Sequence, residues 1–373
     1  LSSSIRRRPS VHAGLPRSGQ WLFLLVLVTF VFFAGPAAAS IGDQLPEFRE
    51  CVEVCSAAVA MLEGEQAREV ANAMDRSASK KIAALTPRTE LPSVVALSHG
   101  VLKTGNKGLH SNLLFSHQAL HRRLLFWTCP AECDYTCQHI ITTQRQSSTP
   151  PQPIVQFHGK WPFYRFLGMQ EPFSVLFSVG NFLAHHHGLH HCVLAQIPPS
   201  YSMRPFYVNL ARVSMVAWFF SAVFHTRDFP LTEQLDYFAA GANVLYGMYY
   251  TVVRVFRLDR PRASRVLRLW TWLCASLYIA HVAYLKFWRW DYTYNMAANV
   301  VCGVVQNVLW SWFSWKRYRA TGQGWAVWPG VVVAWIMCAM SLELLDFPPL
   351  WGSIDAHSLW HLGTIAPAVL FYK

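Results

Sequence analysis

The chain has 373 residues, 53% of them hydrophobic and 14% charged, with 16 tryptophans. So apolar a composition excludes an ordinary soluble protein with a charged shell and points to several membrane spans. The formal charge, 32 − 20 = +12, does not argue for nucleic acid as a partner, because most arginines fall in short connections between apolar runs, as positive-inside topology places them.

Residues 1–39 read as a secretory signal peptide. Arg6, Arg7 and Arg8 precede an apolar run from Trp21 to Phe33, and Ala37, Ala38 and Ala39 suit cleavage. An uncleaved signal anchor is the alternative. Residues 40–165 hold no span-length apolar run and are expected to form a lumenal domain. Its landmarks are Cys51 and Cys55, then Cys129, Cys133 and Cys137, spaced to line up on helical faces. In an oxidising lumen such cysteines form disulfides, with zinc as the alternative and the connectivity open. A polar stretch from Gly64 to Arg123 reads as an insertion, and Ser147 to Pro153 as a Pro-rich linker. Phe157-His158-Gly159-Lys160-Trp161-Pro162-Phe163 follows, where aromatic and basic residues suit either the membrane interface or a substrate headgroup.

Residues 166–373 carry seven apolar segments, near 172–190, 205–226, 231–256, 265–288, 292–314, 325–345 and 354–372. Each approaches the roughly 20 residues a spanning helix needs. The connection after the third carries Arg254, Arg257, Arg260, Arg262, Arg265 and Arg268, and the one after the fifth carries Lys316, Arg317 and Arg319. If those face the cytosol, the N-terminus is lumenal and the C-terminus cytosolic, which agrees with the signal peptide. The expected fold is therefore an all-α membrane protein, a seven-transmembrane-helix bundle with a cysteine-containing N-terminal lumenal domain.

Ionisable residues gather at one end of this bundle. Ser221 and His225 are four apart at the lumenal end of the second segment, Asp236 opens the third, and Asp355, His357 and His361 open the seventh. Three imidazoles with room for water are how catalytic zinc is held, and bound zinc brings the pKa of its water to about 7. Asp236 could then act as general base and acid, and Ser221 could donate a hydrogen bond to the water or the developing oxyanion. Helix caps and interhelical polar contacts would account for any one of these histidines alone. Two i,i+4 sets meeting on one side favour a metal site. A second cluster, His185, His186, His187, His190 and His191, falls at the opposite, cytosolic end and reads as local interfacial histidines.

Ser221-x3-His225, Asp236 and Asp355-x-His357-x3-His361 resemble the CREST superfamily of seven-helix membrane hydrolases, which includes the alkaline ceramidases and the progestin/adipoQ receptors. Within it the chain is similar to the post-GPI-attachment phospholipase family. That closer likeness rests on the Phe157–Phe163 run, Gln170-Glu171-Pro172, Phe224-His225-Thr226-Arg227-Asp228, Leu235-Asp236-Tyr237-Phe238, Leu344-Leu345-Asp346-Phe347-Pro348-Pro349 and Cys129-x3-Cys133-x-Tyr135-x-Cys137. The resemblance implies a lipase of the endoplasmic reticulum or Golgi lumen that removes the sn-2 acyl chain of a GPI anchor, with GPI-anchored proteins as substrate. It further implies that His225, His357 and His361 bind Zn2+, with Ser221 and Asp236 beside it. A ceramide-like amide or an ordinary phospholipid is the alternative substrate, and a receptor or lipid chaperone with structural zinc the alternative class. The Gly64–Arg123 stretch departs from the family pattern.

Overall fold

A computed structural model describes residues 40–60, 119–343 and 345–373. The expected signal peptide and most of the expected insertion lie outside them. Among the described residues the chain is helical, with three isolated β-bridges and no strands.

The N-terminal part comprises α1 (Ile41–Gln44), α2 (46–60), α3 (Leu120–Leu124) and α4 (Cys129–Ser147). Thr128 starts α4: its hydroxyl accepts the Ala131 N–H, and Pro130 occupies the first turn, where its missing N–H costs nothing. Cys51 and Cys55 lie one turn apart on α2, as do Cys133 and Cys137 on α4. They pair as Cys51–Cys137 and Cys55–Cys133, so the two helices are stapled antiparallel. Phe48, Ile141, Val155 and Phe157 pack around the bridges as a small core. Cys129 is buried on the first turn of α4 and belongs to neither bridge.

The larger part consists of α5 (Pro172–His187), α6 (Arg204–Thr226), α7 (Pro230–Phe256), α8 (Ser264–Ala283), α9 (Tyr292–Thr321), α10 (Trp328–Glu343) and α11 (Ala356–Tyr372). Four of these, α6, α8, α9 and α10 with their flanking turns, are long and apolar enough to cross a membrane. Several boundaries differ from expectation. Beyond α5 the chain winds on as a π-helix, Gly188–Leu194. α9 runs to Thr321 because Lys316, Arg317 and Arg319 sit in its final turns, where cations suit the carbonyl end of a helix, and Gly322 in the left-handed conformation stops it.

Six helices close a ring in the order α5, α6, α7, α9, α10, α11 and back to α5, while α8 lies outside against α7. The α5–α11 seam closes the ring and is built for close approach. A Cβ on Gly188 would lie 2.1 Å from the Tyr372 ring, and one on Gly180 2.7 Å from Ile365. Ser174, Ser178, Asn181 and His185 form a stripe along α5 at helical spacing, aimed at α11. Asn181 Nδ2 donates to the His361 carbonyl at 2.7 Å, and His185 Nδ1 meets the Tyr372 hydroxyl at 2.9 Å. At roughly 0.6 kcal/mol per interhelical bond in a membrane, such contacts align the seam more than they stabilise it.

Candidate metal centre

Four helix ends meet at one side of the ring: the starts of α5, α7 and α11 and the end of α6. α11 begins with Asp355, whose carboxylate accepts the Ser358 N–H at 2.8 Å while Ser358 Oγ accepts the Asp355 N–H at 3.0 Å. This capping box gives Asp355 a structural task and sets the start of the helix that carries His357 and His361. α6 ends at Thr226, and its last turn delivers His225.

His225, His357 and His361 come together, with one ligand nitrogen from each inside a 4.8 Å span. The Nε2 atoms of His225 and His357 are 3.4 Å apart. His225 and His361 are buried, and His357 is half-buried. The groups behind them fix which nitrogen is left over. His225 Nδ1 meets Glu171 Oε2 at 2.7 Å, and His361 Nδ1 meets Ser178 Oγ at 3.0 Å and the Ser174 carbonyl at 3.3 Å. In both, Nε2 remains for the shared point. A carboxylate or oxygen behind each ring is how metal-ligating histidines are oriented, so the donor set suits a metal ion. His361 also stands edge-on to Trp218, which closes one side.

The other expected residues fall close by. Ser221 is buried and reaches the histidines through Ser178, whose Oγ lies 3.0 Å from its own. Asp236, half-buried on α7, interacts electrostatically with His225 and His357 and with Lys160 and Glu171. At the far end of α5, His186 pairs with His190 and His187 with His191, while His185 turns to Tyr372 on α11.

Residue-by-residue reading missed the support behind His225. Glu171, the residue before Pro172, sends one oxygen to His225 and the other to Lys160 Nζ at 2.6 Å. Lys160 also pairs with Asp228 at 3.0 Å and lies 4.2 Å over the Phe224 ring. Burial pushes the Glu171 carboxyl up, but the Lys160 and His225 charges override it and hold it well below the usual carboxylate range. Burial pushes the Lys160 pKa down, yet Glu171 and Asp228 outweigh it and raise the pKa above that of free lysine. The Phe157–Phe163 run therefore carries a charged link to the histidines. The signal for Ser178 and Asn181 was the polar stripe in an otherwise apolar helix.

Beside this link, guanidinium and aromatic groups alternate. Arg165 lies between Tyr135 and Trp127, at 3.7 and 3.2 Å from the ring centroids, and Arg227 lies on Trp127 at 3.6 Å. Trp127 Nε1 donates to the Gly168 carbonyl at 2.8 Å. Burial pulls Arg165 down to about 10 despite Glu132 at 2.8 Å. The stack joins α4 to the α6–α7 turn that separates His225 from Asp236.

Residues 119–373 match the Per1-like family. The chain is 44% identical over 250 residues to a PER1 homolog of Schizosaccharomyces pombe, covering 66% of this chain and 73% of that protein. It is 40% identical over 265 residues to the human GPI-specific phospholipase A2-like PGAP3, covering 69% and 78%. With the protein of that name from Xenopus laevis it shares 34% over 344 residues, covering 92% and 91%. No solved structure matches.

Proposed function

Since the chain belongs to the Per1-like family, we propose that it remodels GPI anchors, hydrolysing the sn-2 acyl ester of GPI-anchored proteins at the lumenal face of the endoplasmic reticulum or Golgi membrane. The names of its relatives, which specify a GPI-specific phospholipase A2-like activity, support the substrate. The observation that carries the chemistry is the convergence of His225, His357 and His361 with Glu171 behind His225.

The metal we assign is zinc. Tetrahedral zinc with Zn–N bonds of about 2.0–2.1 Å separates its ligand atoms by about 3.3–3.4 Å, and the Nε2 atoms of His225 and His357 are 3.4 Å apart. When bound, zinc supplies Lewis acidity and a nucleophilic water near neutral pH. The protein's own groups do the rest. Glu171 holds the His225 tautomer, and Ser178 and the Ser174 carbonyl hold His361. Asp236, close to His225 and His357 but not one of the three imidazoles, takes the water's proton and returns it to the leaving alcohol. Ser221 sits one turn before His225 and donates toward the ester oxygen as it becomes negative.

In this reading α5 to α11 all cross the bilayer, with the stapled α2–α4 part in the lumen and the C-terminus in the cytosol. The two disulfides support an oxidising compartment for that part, and the arginines between α7 and α8 support a cytosolic connection there. A centre at the membrane surface suits a substrate whose acyl chains stay in the bilayer and whose head stays outside.

The test is acyl-chain analysis of GPI anchors from null cells expressing wild type, Asp236→Asn or His357→Ala. Diacyl anchors without lyso intermediates should accumulate with both variants. Anchors remodelled as in wild type would sink the hydrolase reading and leave a structural metal in a receptor or lipid chaperone.

A further inference from the structure

Behind Glu171 there is a second chamber. A cavity of about 120 Å³ lies between α4, the 157–171 connection and the α6–α7 turn. Lys160 and Glu171 line it, and Glu171 bonds His225, so the chamber and the histidines share a wall.

Most of its charged groups are bridged: Lys160 lies between Glu171 and Asp228, Arg165 and Arg122 meet Glu132, and His158 meets Asp134. Arg227 is the exception. It forms no ion pair among the described residues, and its guanidinium makes only long bonds, 3.5 Å to Gln170 Oε1 and 3.4 Å to the Asp228 carbonyl. The Nε–H groups of both Arg165 and Arg227 are buried without an acceptor. An unsatisfied buried donor is costly, so neither guanidinium is fully satisfied by the protein's own groups. Trp127 contacts both guanidinium groups and holds them beside the cavity. Planar guanidinium is the group that matches phosphate oxygens. The Gln138 amide and Trp161 on the same walls suit hydroxyls and a sugar face.

We propose that this cavity is the headgroup subsite, which takes the phosphate-bearing, hydroxyl-rich head of the glycolipid with Arg227 as its anion-binding residue. The inference rests on the glycolipid reading of the metal centre. Arg227 is two residues beyond His225, on the turn that leaves α6, so the cavity and the histidines are served by adjoining backbone.

The test uses full-length protein in nanodiscs and a deacylated glycerophosphoinositol glycan as probe, with inorganic phosphate and myo-inositol as separate arms. The head should bind wild type, and Arg227→Gln should weaken it about tenfold or more, with Arg227→Lys recovering part of the loss. Metal content and disulfide count in each variant establish that the fold is intact. Unchanged head affinity in Arg227→Gln, or phosphate alone binding as tightly as the whole head, overturns the subsite. Deacylation of intact glycolipid by the same preparations separates the two claims. If wild type deacylates it and Arg227→Gln shows the same KM, the subsite fails and the function stands. If wild type does not deacylate it at all, the function itself fails.

Discussion

Glu171→Gln tests how the metal centre is wired, because the amide keeps the shape of the carboxylate and removes its charge. In wild type the 2.7 Å contact to His225 is a charge-assisted bond, and Lys160 leans on the other oxygen at 2.6 Å. A hydrogen bond to a charged group contributes about 1.5–3 kcal/mol against about 0.5–1.5 for a neutral one, so the swap should cost about 1–1.5 kcal/mol at His225. That is about a tenfold loss of metal affinity at 1.36 kcal/mol per decade, the lower end of the roughly 10- to 100-fold cost of losing such a partner. Lys160→Met should cost less, because Glu171 stays. The double variant should fall short of the sum by about 0.5 kcal/mol or more, since without the carboxylate Lys160 has lost its nearer partner. Chelator competition on purified protein measures all three, with an intact disulfide count as the control. Metal affinity in Glu171→Gln within twofold of wild type, or a strictly additive cycle, would refute the reasoning.

The disulfides should act non-additively. Whichever forms first closes a loop near the 86- or 78-residue separation of its cysteines, worth about 4.5 kcal/mol by chain entropy, while the second closes only about ten further residues, worth about 2.7 kcal/mol. Removing either bridge should thus cost about the smaller amount, and removing both about the sum of the two amounts, read by thermal melting of the purified protein; a double loss equal to the two single losses added together would contradict this. His158 should make the junction between α4 and the 157–160 turn sensitive to pH. Its hydrogen bond to Asp134, opposed by burial and aided by the Asp134 and Asp43 charges, raises its pKa above the ordinary 6.5. Stabilisation from a raised pKa is complete below the unfolded value and is lost as pH climbs through the folded one. Hydrogen exchange at the turn should therefore speed up above neutral pH in wild type, after correction for intrinsic rates, and not in His158→Gln. A flat wild-type profile would dismiss the idea.

The three histidines could be read from the chain because their pattern is local, two i,i+4 sets at helix ends, and topology alone puts those ends together. Glu171 carried the same kind of signal, an ionisable group at the mouth of an apolar helix, but surfaced only as part of a motif. Lys160 did not stand out, since aromatic and basic residues before an apolar segment look alike whether they face lipid or reach inward to a carboxylate. Disulfide connectivity was closed to inspection for a different reason. With cysteine pairs one turn apart on both helices, parallel and antiparallel staples satisfy the spacing equally, and only the helix direction decides. The closing of the ring at α11 depends on where small residues such as Gly180, Gly188 and Gly363 let neighbouring helices approach, which a run of apolar letters does not reveal.

The α5–α11 seam has a consequence for biogenesis. His357 follows His225 by 132 residues, so a nascent chain that has already inserted α5, α6 and α7 holds one of the three proposed ligands and its glutamate. The remaining two ligands arrive on the last helix, and only when its glycine-lined seam with α5 zips shut do all three face one point. The proposed three-histidine site is consequently incomplete in every unfinished chain, however much of it is already in the membrane. Metal loading thus becomes a readout of finished assembly, available to the cell only after translation has ended.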